Sequence, residues 1–139
     1  MRFHHSSFRI GSRGESDVRD LTGPVREAVA ASGLRQGLVH LFVSGSTCAL
    51  TTLEYEPGLV EDLGGALERI APSDRAYEHG KAWGDDNGRS HIRASLIGPS
   101  LTVPLVDGTV ALGRWQQIVL VEMDTRPRDR EILVQVIGE

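Results

Sequence analysis

From Ser100 to Ile137 the chain reads as strand after strand with only short turns between, and no other segment constrains the fold as tightly. Leu101 to Leu105 and Thr109 to Leu112 flank Asp107-Gly108, a pair suited to the positive φ angles of a tight hairpin. From Trp115 to Met123 the side chains alternate. Trp115, Gln117, Val119, Val121 and Met123 share one face; Gln116, Ile118, Leu120 and Glu122 share the other. Arg130 to Ile137 alternates as well, with Ile132, Val134 and Val136 on one side. A period of two, kept through successive segments, predicts an antiparallel run of strands.

The first half supplies helices and further strands. Arg2 to Ile10 is a strand with poor alternation. Thr22 is placed as an N-cap with Pro24 in the first turn. Val25, Ala28 and Val29 then share a helical face up to Ser32, and Gly33 is a natural stop. Gly37 to Ser44 is nearly all apolar and predicts a strand buried on both faces. Pro57 opens a second helix whose Leu59, Leu63, Leu67 and Ile70 fall on one face, and Pro72 ends it. Ser73 to Gly88 turns polar and reads as a long loop, of the kind that more often carries function than not. His91 to Ile97 forms a short helix stopped by Gly98-Pro99. The sum is an α+β domain: a large, mixed but mostly antiparallel sheet with two to three helices.

A chain of 139 residues, 40% hydrophobic, fits one domain over residues 1–139 with a real core. The net charge of −4 and pI near 5.7 show no overall basic character, which argues against a nucleic-acid partner. No apolar stretch is long enough for a membrane span, so no membrane partner is expected. The first residues lack the apolar core of a secretory leader, and the single Cys48 forms no intramolecular disulfide. Together these lead to the expectation of a cytoplasmic protein.

Several polar groups are candidates for chemistry. Gln116 and Glu122 share a strand face with apolar residues between them, as a site or as two solvated ends. Arg126, Arg128 and Arg130 alternate and can grip a phosphate or carboxylate bidentately. The plainer reading is a solvated turn paired to Asp124, Asp129 and Glu131. His91 follows Asn87 by four residues, within reach across a helix turn, and His79 follows Tyr77 within the polar segment. Both are candidates for proton transfer, and weak candidates for a metal because no close histidine spacing supports them. Adjacent His4 and His5 read as structural. Ser46 and Thr47 end an apolar strand in a turn able to present N–H groups to an anion. Cys48 reads as buried filler. The sequence contains no phosphate-loop or dinucleotide fingerprint.

The order of these signals resembles the YjbQ family, whose members are often described as secondary thiamine-phosphate synthase enzymes. The likeness rests on Asn87-x-x-x-His91, Gly98-Pro99-Ser100-Leu101, Val103-Pro104, Asp107-Gly108 and Leu112-Gly113-Arg114-Trp115-Gln116. Glu122-x-Asp124, the arginines ending at Arg130, Tyr77-x-His79 and Glu54 add to it. It implies a compact α+β fold and a homotrimer with polar pockets near subunit boundaries. It also implies a weak thiamine-phosphate-forming activity and a pocket lined by His79, Asn87, His91, Gln116, Glu122 and the late arginines, with Glu54 beside it. One departure stands out: the family's histidine after the buried strand is Gly45 here, and the residue before Glu54 is Leu53 where the family has Asn.

Two expectations follow. In the first, His91 transfers a proton, oriented by Glu122, while Ser46, Thr47, Asn87, Gln116, Arg128 and Arg130 hold a small phosphorylated substrate. In the second, a non-catalytic trimer binds an anionic metabolite or a protein partner. With Gly45 lacking a ring, a tightly bound transition metal is not expected, since His79 and His91 supply only two imidazoles. The sequence does not identify any other cofactor.

Overall fold

A computed structural model describes residues 1–139. In chain order its elements are β1 (Arg2–Ser12), β2 (Val18–Asp20), α1 (Thr22–Ser32), β3 (Gly37–Val43) and β4 (Cys48–Leu53). Then come α2 (Pro57–Ile70), α3 (Glu78–Trp83), α4 (Gly88–Ile97), β5 (Ser100–Val106), β6 (Thr109–Val110), β7 (Gln117–Glu122) and β8 (Arg128–Gly138). The fold is α+β, as the sequence predicts. Every strand pairing is antiparallel, and the strands divide into a five-stranded sheet, β1-β8-β3-β5-β6, and a three-stranded sheet, β2-β7-β4. No helix is long and apolar enough to cross a membrane.

The layers follow from which faces are apolar. Ile132, Val134 and Val136 of β8 and Val39, Leu41 and Val43 of β3 point from the large sheet toward Ile118 and Leu120 of β7. Helix α1 closes this layer with Val25 and Val29. The opposite face of β7 carries Val119 and Val121, which with Ala49 pack under Leu67 of α2 and Ala94 of α4. The order is therefore sheet, sheet, helices, and β7 lies in the middle. Its residues Ile118 to Glu122 are all buried. Each large aliphatic side chain in that layer contributes about 1.5–3 kcal/mol by leaving water.

The outermost layer is open. Strand β3, expected to be buried on both faces, alternates instead: Leu38 is 49% and Phe42 38% exposed. The large sheet has no layer on its far side, so its outward residues meet solvent however apolar they are. Helix α2 likewise buries less than its periodicity suggests. Leu67 is buried and Val60 and Leu63 pack partly against the same small-sheet core, whereas Leu59 and Ile70 lie at the margin and stay 37% and 59% exposed.

Local signals explain most boundaries. Gly33 adopts φ 66° and stops α1. Asp107 and Gly108 take φ 52° and 81° in the β5–β6 hairpin. The cap of α1 is not the predicted one: Asp20 Oδ1 accepts from the Thr22 N–H at 2.9 Å, and the Thr22 hydroxyl accepts from the Ile118 N–H instead. The polar segment after Pro72 contains a helix, α3, that buries no residue, and α4 begins at Gly88 rather than His91. Where β3 and β8 begin and end, a Cβ on Gly138 would lie 1.8 Å from the Gln36 carbonyl oxygen, so only glycine allows the strands to pair there.

Candidate functional site

The inner layer ends in charge. Glu122 follows Ile118 and Leu120 on the inward face of β7, and Arg130 precedes Ile132 on the inward face of β8. They therefore meet between the sheets, at the layer's edge. Arg130 Nε and Nη2 donate to the Glu122 carboxylate, the former at 2.8 Å and the latter at 2.6 Å. Ser12 Oγ donates at 2.7 Å, and the Met123 and Asp124 N–H groups each donate at 3.1 Å. Five donors make the fully buried carboxylate tolerable. Burial opposes the Arg130 charge, but its bonds to Glu122 more than offset this and hold its pKa above the ordinary value.

Two residues beyond Glu122, Asp124 gathers the neighbouring loops. Thr47 Oγ1, Asn87 Nδ2 and Arg128 Nε donate to its Oδ2 at 2.9, 3.2 and 3.0 Å. The Arg126 N–H donates to Oδ1 at 2.9 Å. Burial works to raise the Asp124 pKa, and these donors overcome it, leaving the group below the usual range. The Thr47 hydroxyl links the two carboxylates, since it also accepts from Arg130 Nη2 at 2.8 Å.

Asn87 ties this network to α4. Its Oδ1 accepts from Ser90 Oγ at 2.9 Å and from the Thr125 N–H at 3.1 Å, which fixes the first turn. One turn on stands His91. Its ring lies 4.5 Å, centroid to centroid, from that of His79, which is itself held by Asp85 at 3.0 Å from Nδ1. His91 borders two depressions. One, of about 410 Å³, is shared with His79, Tyr77, Arg75 and Ile92. The other, of about 190 Å³, is shared with Gly45, Ser46, Cys48 and Ser95. No group of three or more His, Cys, Asp or Glu side chains is arranged to hold a metal. Burial pushes the Cys48 thiol up to about 11, so it stays protonated and is a poor nucleophile.

Gly45 shapes this floor. A Cβ at this position would lie 2.7 Å from Arg130 Nη1 and 2.9 Å from Cys48 Sγ. Arg130 Nη1 is also the one guanidinium nitrogen without a hydrogen-bond partner. The absence of a side chain at 45 is what lets the guanidinium rise beneath the Ser44–Ser46 turn.

The structure therefore unites some predicted residues and separates others. Thr47, Asn87, Glu122, Arg128 and Arg130 join one network, with His79, His91 and Ser46 at its edge. Glu122 does not orient His91: its oxygens are filled by Ser12, Arg130 and two backbone N–H groups. Thr47 is likewise engaged with Asp124 and Arg130. Gln116 and Glu54 lie elsewhere, because Gln116 precedes β7 whereas Glu122 ends it, roughly 20 Å along an extended chain. Gln116 instead accepts from the Gly113 N–H at 2.7 Å and faces Thr52. Sequence reasoning left Ser12 and Asp85 out of the site, and Asp124 entered it only as part of a motif. A carboxylate two residues after a buried Glu was the one signal for the hub.

Comparison with known proteins gives this arrangement its relatives. The family model described as UPF0047 protein YjbQ-like matches residues 6–139. The chain belongs to the YjbQ-like UPF0047 family. A UPF0047 protein of Methanothermobacter thermautotrophicus is 40% identical over 123 residues, covering 88% of this chain and 84% of that one. A second, from Synechocystis, is 33% identical over 99% of this chain and 94% of its own. Among solved structures, a YbjQ-like protein of unknown function from Sulfolobus solfataricus superposes with a TM-score of 0.89. It is 31% identical and covers 99% of this chain and 100% of its own. A hypothetical protein from Aeropyrum pernix gives 0.88 at 31% identity, over 98% and 99% of the two chains. The YjbQ-like fold is thus shared over essentially the whole length.

Proposed function

We propose that this YjbQ-like protein binds a small phosphorylated or otherwise anionic molecule in the depression above Gly45, between Ser46 and His91. The observation that carries the reading is Arg130 Nη1: a cation fixed on its other nitrogens, with one donor free beneath a glycine floor. A fixed guanidinium binds an oxyanion without losing side-chain entropy on binding. Ser46 and Ser95 supply hydroxyls to the depression above Gly45, and His91 lines it as the group that would exchange a proton with the bound molecule.

Catalysis extends this reading. In a thiamine-phosphate-forming transfer, Arg130 would draw the leaving pyrophosphate and His91 would manage the proton. The occupied Glu122, the protonated Cys48 and the missing ring at Gly45 favour binding without turnover as the second reading. For assembly we propose a homotrimer, supported by the sequence resemblance and by apolar residues on the open sheet face: Phe3, Leu38 and Phe42 are 60%, 49% and 38% exposed.

Titration with inorganic pyrophosphate tests the binding. Ser46→Asp, which puts a negative charge at an exposed rim position, is expected to weaken it at least about ten-fold. Equal affinity in wild type and variant refutes the site. Incubation with a pyrimidine pyrophosphate and a thiazole phosphate tests the transfer. Product formed by the wild type and lost in His91→Ala supports catalysis, and no product leaves the binding reading standing.

A further inference from the structure

A second cleft, of about 330 Å³, lies between β4 and β5, shares no lining residue with the Gly45 depression, and is lined by Thr51, Thr52, Ser100, Thr102, Gln116 and neighbouring apolar groups. Its chemistry follows from hydrogen-bond phase. In an antiparallel pair, alternate residues turn both N–H and C=O toward the partner, and those between turn them away. The Val43 N–H donates to the Pro99 carbonyl at 2.9 Å, which sets the phase of β3 against β5. Leu101, Val103 and Leu105 then face β3, while Ser100, Thr102 and Pro104 face outward. Pro104 has no N–H, and its carbonyl is taken by Ala111 at 2.9 Å. After Ala111 the chain leaves the sheet, and the next N–H in line, that of Gly113, turns to Gln116. The main-chain groups of Ser100 and Thr102 are left as an open edge.

Across the cleft β4 presents a second edge. The Met123 N–H donates to the Thr47 carbonyl, so Cys48, Leu50 and Thr52 turn away from β7. Leu50 spends its N–H on the Gly98 carbonyl at 3.0 Å. The Leu50 carbonyl and both groups of Thr52 remain. Two strand edges of opposite sheets thus face one space, pinned together at Gly98 and open beyond it. No Lys, Arg, Asp or Glu lines the cleft.

We propose that this cleft takes an extended, uncharged peptide segment of a partner protein, added as a strand to the β5 edge and shared with β4. The argument is complementarity. The free groups alternate donor and acceptor at strand spacing, which matches another extended backbone. The neutral lining gives an ionic ligand nothing to pair with. The hydroxyls of Thr51, Thr52 and Ser100 suit small polar side chains. Pro104 ends the ladder, so the added strand is short, about three residues.

The probe is acetyl-Val-Thr-Val-Thr-Val-amide, with the same peptide N-methylated at alternate residues as control. Amide hydrogen exchange at Thr52 and Thr102 is expected to slow at least about ten-fold with the first peptide and not with the second. Thr102→Pro removes the key donor at a position in phase with the existing Pro104, and is expected to weaken binding about ten-fold. Thr102→Val keeps the donor and is expected to bind as wild type. Unchanged exchange, or equal binding of the N-methylated peptide, overturns the proposal whether or not the proline variant folds. Slow exchange in the free protein that is lost on dilution also overturns it, since a second copy then fills the cleft.

Discussion

Replacing Glu122 by Gln isolates the ion pair on which the inner edge of the two sheets depends. The side chain keeps its shape and loses its charge, and Arg130 is left 8% exposed with no counterion in direct contact. The geometry allows no graceful amide orientation. One Glu122 oxygen accepts from Ser12 and Arg130 Nε, the other from Arg130 Nη2 and two backbone N–H groups. Whichever way the amide turns, its NH₂ faces donors. Breaking one partner of a buried pair costs about 3–5 kcal/mol. For a domain of this size that lowers the melting temperature by roughly 10–20 °C. Urea unfolding followed by circular dichroism measures the loss, and the double variant Glu122→Gln, Arg130→Met decides its cause. If the penalty is an unpaired cation, removing that cation restores at least about half of it. A loss below about 1 kcal/mol in the single variant, or a double variant less stable than the single, refutes the reasoning.

Other perturbations read other parts of the molecule. Gly45→His forces a side chain into the space of Arg130 Nη1 and Cys48 Sγ, and is expected to destabilise by about 2–4 kcal/mol, measured by urea midpoint. Arg93 is 2% exposed and donates to Ala71, Glu15 and Glu68, binding α4 to α2 and to the β1–β2 turn; Arg93→Ala is expected to cost about 3–5 kcal/mol in the same assay. Arg89 lowers the Glu15 pKa, and the donors around Asp124 outweigh its burial and lower that group too. Carboxylates with depressed folded pKa values contribute stability that is complete above their unfolded values, about 3.9–4.3, and is lost as pH falls through the folded ones. Thermal scans are therefore expected to be flat in this contribution from pH 7 to about 5 and to fall below about pH 4.

The parts of this fold that can be read from sequence are those decided within one segment. Ile132, Val134 and Val136 alternate in the chain and are all fully buried, because the period of a strand is local. Asp107-Gly108 and Gly33 set their own backbone angles. What resists reading depends on layers. Nothing in Leu38 or Phe42 says that the sheet they join has an uncovered face. Short β2 and β4 gain their identity from pairing with β7 rather than from composition. The site divides the same way. Gln116 and Glu122 do alternate as a strand requires, but a shared face is not a shared end. Asp124 becomes a hub only because Thr47 and Asn87, 77 and 37 residues earlier, arrive beside it.

The strand between β1 and β3 is β8, so an interior strand of the large sheet is the last of its five to be synthesised. Until residues 128–138 leave the ribosome, β1 has no neighbour to join, and β3 can pair only along its β5 edge. A nascent chain of this kind keeps β1 unpaired, and one edge of β3 open, for most of its elongation. At roughly 5–20 residues per second, that exposure lasts several seconds. Closing contacts between strands more than a hundred positions apart is also slow. Such a polypeptide depends more than a helical one on chaperones that shield strand edges, and ribosomes stalled before residue 128 are expected to yield chains whose β1 segment is protease-sensitive.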